Sequence, residues 1–132
     1  MIGVSNKSLA SASDLRLSAG VIGHMPVVTG TFVYDIVKDE ATVCDTQKRI
    51  LGFESNIVKF KDVMEVVDVS SSESFQEGLT TMFKESKAVS DELQLANGHI
   101  IKETYNCEYN SDDYEYRSPI RIVGTTKLLK VA

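Results

Sequence analysis

The sequence predicts an α+β fold: a five-stranded antiparallel sheet with helices packed on one face and a flanking helix at its N-terminus. Three observations predict it. The stretch from Lys87 to Val131 alternates apolar and polar residues as three consecutive strands. Two earlier strands form a hairpin around the charged turn Lys38-Asp39-Glu40. The strongest helical periodicity lies between these two groups, so a helical crossover brings the first hairpin beside the last meander.

Met1–Ser13 is small and polar and reads as a flexible segment ahead of a single domain spanning residues 14–132. From Asp14 to Met25, Leu17, Val21 and Met25 fall at i, i+4, i+8, with Leu15, Ala19 and Ile22 beside them, and Pro26 ends the helix. Its apolar residues exceed one stripe, which makes this helix the expected surface of a homodimer. Thr31–Val37 places Phe32, Tyr34 and Ile36 on one strand face, and Ala41–Asp45 is the short return strand. Thr46–Gly52 reads as one or two helical turns stopped by Gly52.

Ile57–Val67 carries Phe60, Val63, Met64 and Val67 at helical spacing. Ser70-Ser71-Ser72-Glu73 has capping-box form and opens the predicted long helix Ser71–Ser86, with Phe75, Leu79, Met82 and Phe83 on its buried side. In the meander, Asn97-Gly98 marks a tight turn. A two-residue turn there would oppose Glu92 to Glu103 and turn Leu93 and Leu95 away from the Tyr105 and Cys107 face. A bulge or longer turn, shifting the register by one, is therefore expected. Asn110–Ser118 is a polar loop, and Ile120, Ile122 and Thr126 share a face of the last strand.

With 132 residues, 42% of them hydrophobic, the chain supports one core. Its 14 basic and 19 acidic residues give a net charge of −5. No Lys/Arg cluster stands out, so neither nucleic acid nor direct membrane contact is expected. Cys44 and Cys107 both fall on predicted strands without a CxxC or companion histidines, which suits buried reduced thiols in a cytoplasmic domain better than zinc or a disulfide. The acidic run Glu108, Asp112, Asp113 and Glu115 lacks the glycine of a calcium loop and reads as a solvated loop. No nucleophile–base set is apparent, and Asp35 and Asp45 are the acidic residues found next to apolar strands. The module is expected to have no catalytic activity of its own.

Four short motifs in order resemble a PAS domain, of the kind found in sensor histidine kinases and GGDEF diguanylate cyclases. They are Gly30-Thr31-Phe32-Val33-Tyr34-Asp35-Ile36, Arg49-Ile50-Leu51-Gly52-Phe53, Asn97-Gly98 and Arg121-Ile122-Val123-Gly124-Thr125. The resemblance covers about Leu17 to Leu129. Two departures stand out. Val67-Asp68-Val69-Ser70 replaces the family's frequent His-Pro-x-Asp, and Lys127-Leu128-Leu129 replaces the closing Asp-Ile-Thr that caps the linker to the effector.

The resemblance implies a sensory and interaction module that biases a downstream kinase or cyclase through a small-molecule ligand. It also frames the expected absence of cofactors. Thr46–Gly52 has no cysteine for a flavin adduct, and Ser71–Ser86 has no histidine for haem; His24 and His99 fit surface or capping roles. Tyr34, Met82, Phe83, Tyr105 and Cys107 are the candidate lining of a cavity between sheet and helices, and the same residues fit plain core packing. The competing class is a small-molecule-binding enzyme with a cone-shaped, ketosteroid-isomerase-like α+β fold, which would need a buried acid/base residue. A third is a purely structural dimerisation domain without a pocket.

Overall fold

The computed structural model describes residues 28–113 and 115–132. The expected flexible segment, the helix at 14–25 and the dimer surface assigned to it lie outside the described residues. Strands β1 (Thr29–Asp35) and β2 (Glu40–Val43) form the first hairpin. Helix α1 (Asp45–Leu51), the two-residue strand β3 (Ile57–Val58), helix α2 (Phe60–Val66) and helix α3 (Val69–Glu85) make the crossover. Strands β4 (Val89–Gln94), β5 (Ile100–Tyr109) and β6 (Pro119–Lys130) make the meander.

The sheet has six strands in the order β3-β2-β1-β6-β5-β4, and every pairing is antiparallel. The sixth, β3, replaces the start of an expected helix: Ile57 and Val58 pair with Thr42 and Ala41 before the helix begins at Phe60. The crossover sets β1 beside β6, from Thr29 opposite Lys127 to Asp35 opposite Arg121.

The meander turn shows the expected irregularity. The Leu95 N–H donates to the His99 carbonyl at 2.9 Å, so Ala96, Asn97 and Gly98 all sit in the turn, with Gly98 at φ 92°. The extra residue sets Glu92 opposite Lys102 and Leu93 opposite Ile101. Leu93 and Leu95 thereby join the inner face and are almost fully buried, at 2% and 1% exposure.

Local chemistry at the helix starts differs from the expectation. The cap of α3 is Asp68, whose carboxylate accepts the Ser70 N–H at 3.0 Å, so the helix opens earlier than the Ser70–Glu73 box implied. Cys44 is not a strand residue but the cap of α1: its Sγ accepts the N–H groups of Thr31 at 3.2 Å and Gln47 at 3.4 Å. Hydrogen bonds Asp68 N–H to Gln94 O and Ala96 N–H to Val66 O tie the α2–α3 junction to the β4 edge. The core lies between the inner sheet face and the helices, built from Ile50, Leu51, Val67, Phe75, Met82, Leu93, Leu95, Ile101, Tyr105 and Ile122.

Candidate functional site: a carboxyl buried beside a core cavity

Strict alternation along β5 turns Ile101, Glu103 and Tyr105 to the same side, and that side is the core. Glu103 is therefore buried, with 8% of its surface exposed. Two other elements deliver its partners. Gln47 shares the inner stripe of α1 with Ile50 and Leu51, at i, i+3, i+4. Thr126 lies opposite Glu103 on β6 and is fully buried. Gly30 admits α1 this closely, because a Cβ there would come within 2.6 Å of the Gln47 Cα.

The Gln47 amide donates to Thr126 Oγ1 at 2.7 Å, and the Thr126 hydroxyl in turn donates to Glu103 Oε1. Gln47 Oε1 is buried without a partner. Burial raises the Glu103 pKa to about 7, offset in part by hydrogen bonds from Thr126 and Gln47 and reinforced by the charge of Asp91. Asp91 sits opposite Glu103 on β4 and accepts the Tyr105 hydroxyl at 2.7 Å.

Gln47, Glu103 and Tyr105 border a cavity of about 60 Å³. Its wall is mostly apolar and includes Phe32, Tyr34, Phe60, Phe75 and Tyr105, with Gln47 and Glu103 as polar positions. Rings brace one another: Phe75 meets Tyr105 edge-on at 6.0 Å, and Tyr34 tilts against Phe60 at 6.0 Å. The Tyr34 hydroxyl donates to Asp39 at 2.7 Å, and the same carboxylate accepts the Phe60 N–H at 3.0 Å. Burial, then the Asp39 bond, push Tyr34 up to about 12.

No protein-family profile matches the sequence, and no curated protein does. Solved structures do. A sensory box histidine kinase/response regulator from Burkholderia thailandensis E264 superimposes with a TM-score of 0.64 at 14% identity, covering 78% of each chain. An RNA-binding light-oxygen-voltage receptor superimposes with a TM-score of 0.62 at 17% identity, covering 78% of this chain and 30% of the receptor. The fold is PAS-like. In this PAS-like frame the four sequence motifs fall on β1, the end of α1, the β4–β5 turn and β6.

The sequence-derived candidate residues divide. Tyr34 and Tyr105 line the cavity. Met82 is fully buried on α3 but outside the lining, where Phe75 and Leu79 stand instead. Phe83, expected on the buried side, is 40% exposed, because it lies past the edge of the stripe set by Phe75 and Met82. Cys107 is half-buried on β5, also outside the lining. Asp35 holds the Lys38 N–H in the first turn, and Asp45 holds the Asn56 amide.

The polar residues of the site, Glu103 and Gln47, are not among the candidates that the sequence suggests. The period of two through Ile101 and Tyr105 carries the signal for Glu103, and the spacing to Ile50 and Leu51 carries it for Gln47. Among the described residues no group of three or more His, Cys, Asp or Glu is placed to hold a metal. No helix among them is long and apolar enough to cross a membrane.

Proposed function

We propose that this chain is a sensory and interaction module that reads a small molecule in its core cavity and passes the change to an effector such as a kinase or cyclase. The observation that carries the reading is the cavity itself, set inside a PAS-like fold and bordered by a polar network spanning α1, β5 and β6. Occupation of that space bears on Gln47 and Glu103 and, through Thr126, on the last strand of the sheet. The reading places the module in the cytoplasm, as a homodimer joined through residues 14–25. Tyr34 and Tyr105 are its ligand contacts, braced by Phe60 and Phe75, while Met82, Phe83 and Cys107 stand outside the lining.

A thermal-shift screen of small metabolites tests it. At least one compound raises Tm saturably, and the rise disappears in Ala41→Leu, which fills the cavity from β2. A screen without a saturable shift, or one whose shifts persist in Ala41→Leu, overturns the reading. The enzyme alternative draws on one observation, a buried carboxyl with a pKa near neutrality. A cavity of about 60 Å³ leaves it little room for substrate beside an acid/base group.

A further inference from the structure

We propose that the cavity takes a small organic cation, of the size and chemistry of methylammonium. The inference rests on the cavity-ligand reading above and narrows it to one class of ligand.

Hydrogen-bond capacity points that way first. The hydroxyl and amide donors at the polar wall are already committed: Tyr105 O–H to Asp91, Tyr34 O–H to Asp39, and the Gln47 amide to Thr126, whose own hydroxyl goes to Glu103. The Glu103 carboxyl proton is the donor that remains, and a cation displaces it. What the wall still offers is acceptors. Glu103 is the clearest once its proton is displaced, and beside it Gln47, 1% exposed, carries an amide oxygen without a partner, packed against Gly30. A buried acceptor left unmatched costs about 1–3 kcal/mol, so an occupant that donates is favoured over one that accepts.

Charge points the same way. The lining contains one ionisable carboxyl, Glu103, and no Lys, Arg or His. The charged group that bears on Glu103 from β4 is another acid, Asp91; Tyr105 on β5 and Tyr34 on β1 are neutral, as are Gln47 on α1 and Thr126 on β6. A buried carboxylate without a countercharge is costly, and a cationic occupant supplies one. The rest of the wall suits a cation too: Phe32, Tyr34, Phe60, Phe75 and Tyr105 present ring surface, whose negative faces attract ammonium groups.

Size then sets the limit. An apolar cavity of about 150 Å³ holds benzene, and a single water needs only about 10–15 Å³. At about 60 Å³ the space admits a molecule of a few heavy atoms. An anion would meet Glu103, with the charge of Asp91 bearing on the same carboxyl, and no Lys, Arg or His in the lining to offset them.

The test uses the full chain with isotope-labelled glutamate and glutamine side chains, followed by NMR at matched ionic strength. Methylammonium chloride is the probe, methanol its neutral counterpart, and xenon an apolar filler. Methylammonium should shift the Gln47 and Glu103 signals saturably, methanol at the same concentration should not, and Glu103→Gln should weaken the response at least tenfold. A native-state measurement stands independently of that variant: because the cation displaces the Glu103 proton to solvent, its affinity should rise about tenfold per pH unit between pH 5 and 6.5.

Equal binding of methanol, unchanged binding in Glu103→Gln, or a pH-independent affinity overturns the inference. If xenon perturbs the lining residues while methylammonium does not, the cation inference fails and the cavity-ligand reading stands. If neither enters, both fail.

Discussion

Replacing Glu103 by glutamine should reverse sign in its effect on stability as pH rises. In the folded protein the Glu103 pKa is raised from 4.5 to about 7, chiefly by burial. The unfolded chain therefore releases this proton near pH 4.5, while the folded chain keeps it until about pH 7. Where the native state binds the extra proton, stability falls as pH rises. The contribution is fully present below about pH 4.5, drains away through about pH 7 and is flat above it. A shift of this size corresponds to about 3 kcal/mol at 1.36 kcal/mol per unit.

Glutamine keeps the shape and the acceptor but has no proton to lose. Wild type and Glu103→Gln should thus diverge by about 2–3 kcal/mol between pH 5 and pH 8, with the variant the more stable at pH 8. Urea melts at four pH values in that window measure the difference directly. Asp39 and Asp68 have pKa values held below 3.8, by the Tyr34 and Ser70 hydrogen bonds respectively, so they act at lower pH. Burial lowers the His99 pKa below 6.5, which makes stability rise with pH in the same window. That effect is common to both proteins and cancels in the difference. A difference that stays constant from pH 5 to pH 8 refutes the buried, proton-holding Glu103.

Three further sets of substitutions probe the frame around the site. Met82→Ala, at a position with 0% exposure and away from the cavity lining, should cost about 2–5 kcal/mol in chemical denaturation. Phe83→Ala, at 40% exposure, should cost well under that, and equal losses would contradict the placement of α3. Gly78→Ala directs a methyl group at the Asp91 carboxylate and the Tyr105 hydroxyl, so it should destabilise by about 1–3 kcal/mol and alter the Tyr105 ring signals. An unchanged Tm in Gly78→Ala would mean that α3 does not pack this closely on β4 and β5. Asp68→Ala removes the carboxylate that caps α3 and should cost about 0.5–2 kcal/mol. Loss of the same size in Ser70→Ala, with Asp68→Ala neutral, would restore the Ser70 box as the helix start.

Much of this architecture was written into local pattern. Period-two runs located five of the strands, and Phe75, Leu79 and Met82 located the long helix, because a face that must be buried leaves a periodic trace. Even the irregular β4–β5 turn was legible. Leu93 and Leu95 reach the Tyr105 face in one register only, so the apolar pattern overruled the Asn-Gly preference for a two-residue turn. Other features had no local trace. Ile57 and Val58 fit a helical stripe as well as a strand, and the exposed backbone edge of β2 decided between them. Cys44 continued an apolar strand pattern, yet the free N–H groups at the start of α1 took its sulfur as a cap.

The site divides along the same line. The alternation through Ile101 and Tyr105 determined that Glu103 faces inward. Nothing in that alternation names what it meets there. Gln47 and Thr126 lie far from it in sequence, and only the packing of α1 over Gly30 and the pairing of β5 with β6 bring the three together. The raised pKa, the unmatched Gln47 oxygen and the ring-lined space beside them are consequences of that convergence. They belong to the tertiary structure because desolvation and unmet hydrogen bonds are properties of enclosed volume, which no single segment possesses.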